Sequence, residues 1–137
     1  MSLTTDNPCT RYALDVVEGR RATGKPEWQA CQRHLDDLQR QGTEGFPWVF
    51  DEKKASKIYT WFSYCAHVEG PLAGQPIELL PFQKFDLGCI FGWVHKDSSG
   101  DTVRIIRSAW VEVPRKNGKT TIAAGIGLIL AFGDGEP

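Results

Sequence analysis

The alternation of apolar and polar residues is clearest over residues 103–113, where apolar side chains recur at every second position. The alternating positions are Val103, Ile105, Ala109, Val111 and Val113, with Arg107 as the exception. This period of two predicts a β-strand with one buried face. Pro114 is expected to end the strand, because proline has no N–H group for the hydrogen-bond ladder.

A loop and an almost wholly apolar segment follow the predicted strand. Residues 120–132 read TTIAAGIGLILAF, which predicts a helix that is buried on most of its sides. The loop ends in Gly118-Lys119-Thr120, as does the phosphate-binding pattern Gly, four residues, Gly-Lys-Ser/Thr. Val113 occupies the first glycine position of that pattern, so the match is partial. The strand, loop and helix nevertheless follow in the order that a P-loop requires.

The residue types of this loop suit the binding of phosphate. Backbone N–H groups at a helix N-terminus have no acceptor within the helix, and Gly118 lets the backbone approach a ligand closely. Lys119 can reach the β- and γ-phosphates, and the Thr120 hydroxyl can ligate Mg²⁺. Arg115 can clamp a phosphate with two hydrogen bonds, and Lys116 adds another cation. A plain basic turn between a strand and a core helix is the alternative interpretation.

The chain before residue 103 has mainly helical patterns, and we expect at most one or two strands in the whole chain. Predicted helices cover residues 11–18, 27–41, 52–67 and 82–93. Asp51 is the predicted N-cap of the third helix, and Pro81 opens the fourth. His34 falls on the polar face of the second helix, so we expect it to face water.

Composition narrows the class of protein. The chain has 137 residues, of which 41% are hydrophobic and 24% charged, as in one soluble globular domain. Its net charge of −1 does not indicate a basic nucleic-acid-binding protein. Cys9, Cys31, Cys65 and Cys89 are widely spaced, so reduced thiols are the simpler interpretation and no zinc site is indicated. The longest apolar run, residues 122–132, is too short to span a bilayer, and no signal-peptide pattern is present.

These motifs together resemble the N-terminal part of the large terminase subunit of tailed bacteriophages, the ATP-driven motor that packages DNA into the procapsid. The resemblance rests on RYALDVVEG, CQRHLDDL, FPWVFDEKKA, GPLAGQPIELLPFQKFDLGCIFGW, VEVPRKNGKTT and DGEP. In that family the loop usually lacks the first glycine, so Val113 agrees with it. The resemblance implies an α/β P-loop NTPase fold of the ASCE type, with an incomplete sheet. It divides the chain into a helical segment, 1–50, and the start of the ATPase domain, 51–137.

The resemblance also implies a site for ATP and Mg²⁺. Lys119 resembles the lysine that binds the phosphates, and Arg115 resembles the loop arginine that senses or stabilises the γ-phosphate; both are implied to be catalytic. Thr120 resembles the Mg²⁺ ligand. Gln83 resembles the glutamine that reads adenine, although it is alternatively a polar residue in the first turn of a helix. The implied nucleotide-binding residues are Gln83, Arg115, Lys116, Asn117, Gly118, Lys119, Thr120 and Thr121.

The function implied by this family is ATP hydrolysis coupled to translocation of double-stranded DNA. The implied partners are double-stranded DNA, the terminase small subunit and the portal protein, with a homo-oligomeric ring at full length and no membrane. The implied location is the host cell cytoplasm. The family's acidic strand-end motif, coupling motif and nuclease domain would follow Pro137. We therefore expect this chain alone to be incomplete for hydrolysis.

Two other functions fit the sequence. The chain can be a non-enzymatic interaction module that docks on a terminase subunit or on the portal through its tryptophans. These are Trp28, Trp48, Trp61 and Trp93. It can also be another P-loop NTPase, of a helicase-like or kinase-like type. Partner binding that does not depend on nucleotide favours the first alternative, and a different downstream coding sequence favours the second.

Overall fold

Helices and a small sheet make up the computed structural model, which describes residues 6–116, 118–133 and 135. The helices are α1 Pro8–Val17, α2 Lys25–Arg40, α3 Glu52–Ser63, α4 Pro81–Gly92 and α5 Lys119–Phe132. The strands are β1 Val49–Phe50, β2 Trp93–Lys96 and β3 Thr102–Arg104. They form an antiparallel sheet in the order β1-β2-β3. Within the described residues this is a small α/β structure with a mainly helical lead-in, and it has more strands than the one or two expected.

The N-terminus of α3 is fixed by a side-chain cap. The Asp51 carboxylate accepts hydrogen bonds of 2.9 and 3.0 Å from the backbone N–H groups of the second and third helical residues. This confirms the predicted N-cap. The helix ends at Ser63, before the predicted end at residue 67, because Ala66 pairs with Pro76 in an isolated antiparallel bridge.

Helix α4 is shared by two apolar cores. The first core joins α1, α2 and α4 through Cys9, Tyr12, Ala13, Val16, Cys31, Leu35 and Phe85. The second joins α3, α4 and α5 through Ile58, Phe62, Leu79, Leu87, Phe91 and Ile129. Gly88 lets α1 approach α4, since a Cβ added there would lie 2.8 Å from the Cβ of Cys9. The division of the chain after residue 50 stays a prediction, and α1 and α2 share the first core with α4.

His34 is buried, so the expectation that it faces water was wrong. Its exposed fraction is 2%. The imidazole lies among the rings of Phe50, Phe85 and Trp93, with ring centroids 4.9, 5.9 and 5.7 Å away. These rings come from β1, α4 and β2, which are distant in sequence. The polar pattern of α2 alone therefore did not reveal this environment.

The strand predicted over residues 103–113 forms only at its start. Strand β3 ends at Arg104, and residues 105–113 have no regular secondary structure. Trp110 in this segment is 90% exposed. An extended segment becomes a strand only when a neighbour accepts its backbone hydrogen bonds. In the part of the chain that the structure describes, β3 pairs with β2 alone and no strand flanks residues 105–113.

The prediction that α5 is buried on most of its sides was also wrong. Gly125 and Ile129 are its buried residues, whereas Leu128, Leu130 and Phe132 are exposed. The helix packs on α3, where Trp61 Nε1 donates a 3.1 Å hydrogen bond to the Gly125 carbonyl. The described elements thus cover one face of α5. Neither α5 nor another described helix is both long and apolar enough to cross a membrane.

Two glycines of α5 provide a test of this packing. A Cβ on Gly125 would overlap the ring of Phe62, whereas a Cβ on Gly127 meets nothing within 4 Å. We expect Gly125→Ala to lower the free energy of unfolding by about 1–3 kcal/mol, because α5 must move away from α3. The matched control Gly127→Ala is expected to raise it by roughly 0.5–1 kcal/mol through helix propensity. Urea unfolding measures both, and equal effects would contradict the described contact.

Candidate nucleotide site

The loop before α5 has a backbone shape that positions the start of the helix. Gly118 is the N-cap of α5 and has a φ of 73° in the left-handed region, which glycine adopts without steric cost. Lys116 also has a positive φ, of 65°, which costs about 1 kcal/mol for a residue with a side chain. Because Gly118 has no side chain, the N-cap residue itself does not occupy the N–H groups of the first turn. A ligand can therefore use them.

Lys119 extends back across this loop. Its Nζ donates a hydrogen bond of 2.8 Å to the carbonyl oxygen of Val113. The ammonium group therefore lies next to the residue that immediately precedes the Pro-Arg-Lys-Asn-Gly loop. A phosphate oxygen that replaced this neutral carbonyl would make a stronger, charge-assisted hydrogen bond with the lysine.

Gln83 lies beside the same loop. Its Oε1 accepts a 2.9 Å hydrogen bond from the backbone N–H of Leu80, so it caps the start of α4. Its Nε2 lies 3.5 Å from the position that a Cβ would have on Gly118. The structure thus brings Gln83 and Gly118 together, although they are far apart in sequence. Both interpretations of Gln83, as a cap and as a ligand-facing amide, are compatible with this position.

A cavity of about 470 Å³ lies between α4, α5 and the irregular segment 105–113. Gln83, Asp86 and Lys119 line it, together with Arg104, whose guanidinium lies 5.2 Å from the ring centroid of Phe91. The apolar part of its wall includes Phe82, Leu87, Ile90, Ile122 and Ile126. A mostly apolar cavity of this size with a few polar groups is typical of small-molecule sites.

Of the other predicted site residues that the structure describes, none lines the cavity. Arg115, Lys116 and Thr120 are exposed on the loop and the first turn of α5, and Thr121 is half-buried. Asn117 lies outside the described residues. The structure therefore brings Gln83, Gly118 and Lys119 together, and it places Arg115, Lys116, Thr120 and Thr121 outside the cavity lining.

Asp86 is a cavity residue that sequence reasoning missed. It lies one helical turn after Gln83 on α4. Burial, together with the negative charges of Glu27 and Cys89, raises the pKa of this carboxyl group from 3.8 to about 7. A buried carboxyl group with a raised pKa in a cavity is a common feature of functional sites. The signal available in the sequence was its position three residues after Gln83, which places both residues on the same side of a helix.

A separate cluster of thiols and an imidazole lies where α1, α2 and α4 meet. Cys9 Sγ lies 3.6 Å from Cys89 Sγ and 3.7 Å from His34 Nε2, and Cys89 Sγ lies 3.6 Å from His34 Nδ1. Trp93 Nε1 donates to His34 Nδ1 at 3.2 Å. Burial raises the pKa of Cys9, whereas the hydrogen bond between Cys9 and Cys89 lowers the pKa of Cys89. Sequence spacing gave no signal for this cluster, because its members lie on three helices.

The raised pKa of Asp86 predicts a pH-dependent stability. The folded chain holds a proton between about pH 4 and pH 7 that the unfolded chain releases, so stability falls as the pH rises through this range. Asp86→Asn removes this pH-dependent loss of stability, because asparagine does not ionise. We expect the variant to be more stable than the parent chain at pH 8 by on the order of 2–4 kcal/mol and to lose this advantage near pH 4.

Urea unfolding of metal-free protein at the two pH values measures this effect. Asp36→Asn is the matched control, because Asp36 lies exposed on α2, where Gln32 donates a hydrogen bond to it. The control is expected to change stability little at either pH. A gain for Asp86→Asn that does not depend on pH would contradict the described burial.

Comparison with known proteins gives a family for the part of the chain that holds the cavity. Residues 81–137 match the family model described as "Terminase large subunit, ATPase domain". No curated protein and no solved structure matches the chain. The matched segment begins at the first residue of α4 and includes the loop and α5, so every residue that lines the cavity lies within it. Residues 81–137 therefore carry the sequence signature of the terminase large subunit ATPase domain, and the resemblance to this family is confirmed for that segment.

Proposed function

We propose that the chain binds ATP with Mg²⁺ in the cavity between α4 and α5, as the ATP-binding part of a phage terminase large subunit. The observation that carries the proposal is the meeting of Gln83, on α4, with Gly118 and Lys119, at the start of α5. A side-chain amide both donates and accepts hydrogen bonds, which suits the edge of adenine. Glycine, lysine and a helix N-terminus suit phosphate. The cavity lies between these two kinds of group.

The loop residues have complementary roles in this proposal. Lys119 exchanges the Val113 carbonyl for the β- and γ-phosphates, and the N–H groups of the first turn of α5 bind further phosphate oxygens. The Thr120 hydroxyl, exposed on that turn, fits a Mg²⁺ ligand, because Mg²⁺ prefers oxygen donors and retains several waters. Arg115 stabilises charge on the γ-phosphate. Lys116, Asn117 and Thr121 complete the proposed set of nucleotide-binding residues.

The wider function that we propose is the general function of the family. Hydrolysis of ATP would drive double-stranded DNA through the portal, with the terminase small subunit as a further partner, in the host cytoplasm. Hydrolysis also needs a carboxylate that holds Mg²⁺ and a group that positions the attacking water, and we assign neither role to a described residue. A homo-oligomeric ring would let a neighbouring subunit contribute an arginine to the site. For this chain itself the proposal is nucleotide binding.

The structure weakens the alternative of a tryptophan-based interaction module. Trp93 is buried in the core, and Trp61 donates a hydrogen bond to the Gly125 carbonyl between α3 and α5. Both side chains therefore serve internal packing, and only Trp28 and Trp48 of the four are substantially exposed. The other alternative, a different kind of P-loop NTPase, is disfavoured by the terminase family match.

Lys119→Ala tests the proposal in a titration with a fluorescent ATP analogue and Mg²⁺. We expect saturable binding by the parent chain and a loss of about 10–100-fold in affinity in the variant, because a charged hydrogen bond to phosphate is removed. Lys53→Ala is the matched control, since Lys53 is an exposed lysine on α3 that does not line the cavity. Equal affinities of the two variants, or no binding by the folded parent chain, would overturn the proposal.

A further inference from the structure

The thiol and imidazole cluster away from the cavity has the composition and spacing of a metal site. One ligand atom from each of Cys9, His34 and Cys89 lies within 4.8 Å of the others. The two sulfurs are 3.6 Å apart. Two thiolates bound to one tetrahedral zinc ion at 2.3 Å are about 3.8 Å apart, so the cysteines are already at the spacing of a shared ion. We propose that Cys9, His34 and Cys89 form a binding site for Zn²⁺.

The chemistry of these ligands separates this site from the proposed Mg²⁺ position at Thr120. Thiolate and imidazole are softer donors than the oxygens that Mg²⁺ prefers, and they select zinc and similar transition metals. Two thiolates also carry two negative charges, which a divalent ion neutralises. This matters because Cys9 is fully buried, where an isolated thiolate would be costly. Zinc binding therefore turns an unfavourable pair of buried thiolates into a neutral site.

The hydrogen bonds of His34 indicate which ring nitrogen takes the metal. Trp93 Nε1 is an obligate donor and points at Nδ1, so Nδ1 carries a lone pair and Nε2 carries the proton. Nε2 lies 3.3 Å from Thr10 Oγ1, which can accept a hydrogen bond from the Nε2–H group. A zinc ion at Nδ1 keeps the bond between Nε2 and Thr10, which then orients the ring from outside the metal site. It replaces the contacts of Nδ1 with Trp93 and Cys89, and the Cys9 thiol gives up its hydrogen bond to the Phe85 carbonyl when it loses its proton.

The surroundings of the cluster favour a bound cation. The negative forms of Cys31 and Asp86 lie close enough to raise the pKa of Cys9 further than burial alone does. The positive charge of Arg33 lowers the pKa of Cys89. Glu27, whose charge acts on both Asp86 and Cys31, has a buried Oε1 without a hydrogen-bond partner. An ion that neutralises the two thiolates removes the repulsion between them and these acidic groups.

A zinc ion here would join parts of the chain that are distant in sequence. Cys9 lies on α1, His34 on α2 and Cys89 on α4, the helix whose first turn holds Gln83. The ion would thus hold the N-terminal helices against the helix that contributes to the proposed nucleotide site. Because Cys89 is only part-buried, the ion and a solvent molecule as fourth ligand can reach the cluster.

The site is tested by titrating the reduced, metal-free chain with Co²⁺ and then Zn²⁺. Thiolate ligands give cobalt a sulfur-to-metal absorption band in the near ultraviolet. We expect this band to saturate at one ion per chain and to disappear when Zn²⁺ displaces the cobalt. Cys9→Ser and Cys89→Ser should lose it, whereas Cys65→Ser, which changes a cysteine outside the cluster, should keep it. A folded parent chain that gives no band overturns the proposal.

Trp93→Phe gives a second test that does not rely on losing binding. This change removes the N–H group that competes for the Nδ1 lone pair, so we expect Co²⁺ to bind about tenfold more tightly, as for the loss of one competing hydrogen bond. A role of the cluster in packing alone would give no metal affinity in either protein. Unchanged or weaker cobalt binding in the folded variant overturns the assignment of Nδ1. Nucleotide binding is measured separately, so the two proposals can fail independently.

Discussion

The burial of α4 on two sides is the constraint on which the rest of the structure depends. Phe85 faces the core formed with α1 and α2, whereas Leu87 and Phe91 face the core formed with α3 and α5. A helix held between two cores has little freedom to rotate or slide, because either movement would expose apolar surface on one side. Gly88 permits the close approach to α1 that this arrangement needs. This packing between two cores fixes which way each side of α4 faces.

Both proposed sites use this fixed helix. Its first turn places Gln83 against Gly118, and a face one turn further along places Asp86 in the cavity. The next turn, three residues after Asp86, directs Cys89 toward Cys9 and His34. A change in the packing of α1 and α2 on α4 therefore has a physical route to the nucleotide site. This route is α4 itself, whose position is fixed by its packing in both cores.

Local signals in the sequence predicted the features that depend on neighbouring residues. The Asp51 cap and the start of a helix at Pro81 both follow from nearby residue types. Features that depend on distant partners were missed. His34 is polar and lies on a charged helix, yet rings from three other elements enclose it. The alternation over residues 103–113 has strand periodicity, yet no described strand pairs with residues 105–113.

The central claim is that Gln83 and the loop before α5 form one adenine nucleotide site, and the base specificity of Gln83→Glu tests it most directly. Glutamate keeps an acceptor for the Leu80 N–H group, so α4 stays capped, but it lacks the amide donor that adenine requires. The account predicts that the parent chain binds Mg·ATP more tightly than Mg·GTP. It also predicts that this ratio falls about tenfold in the variant while the melting temperature is preserved. An unchanged ratio in a folded variant would contradict the claim.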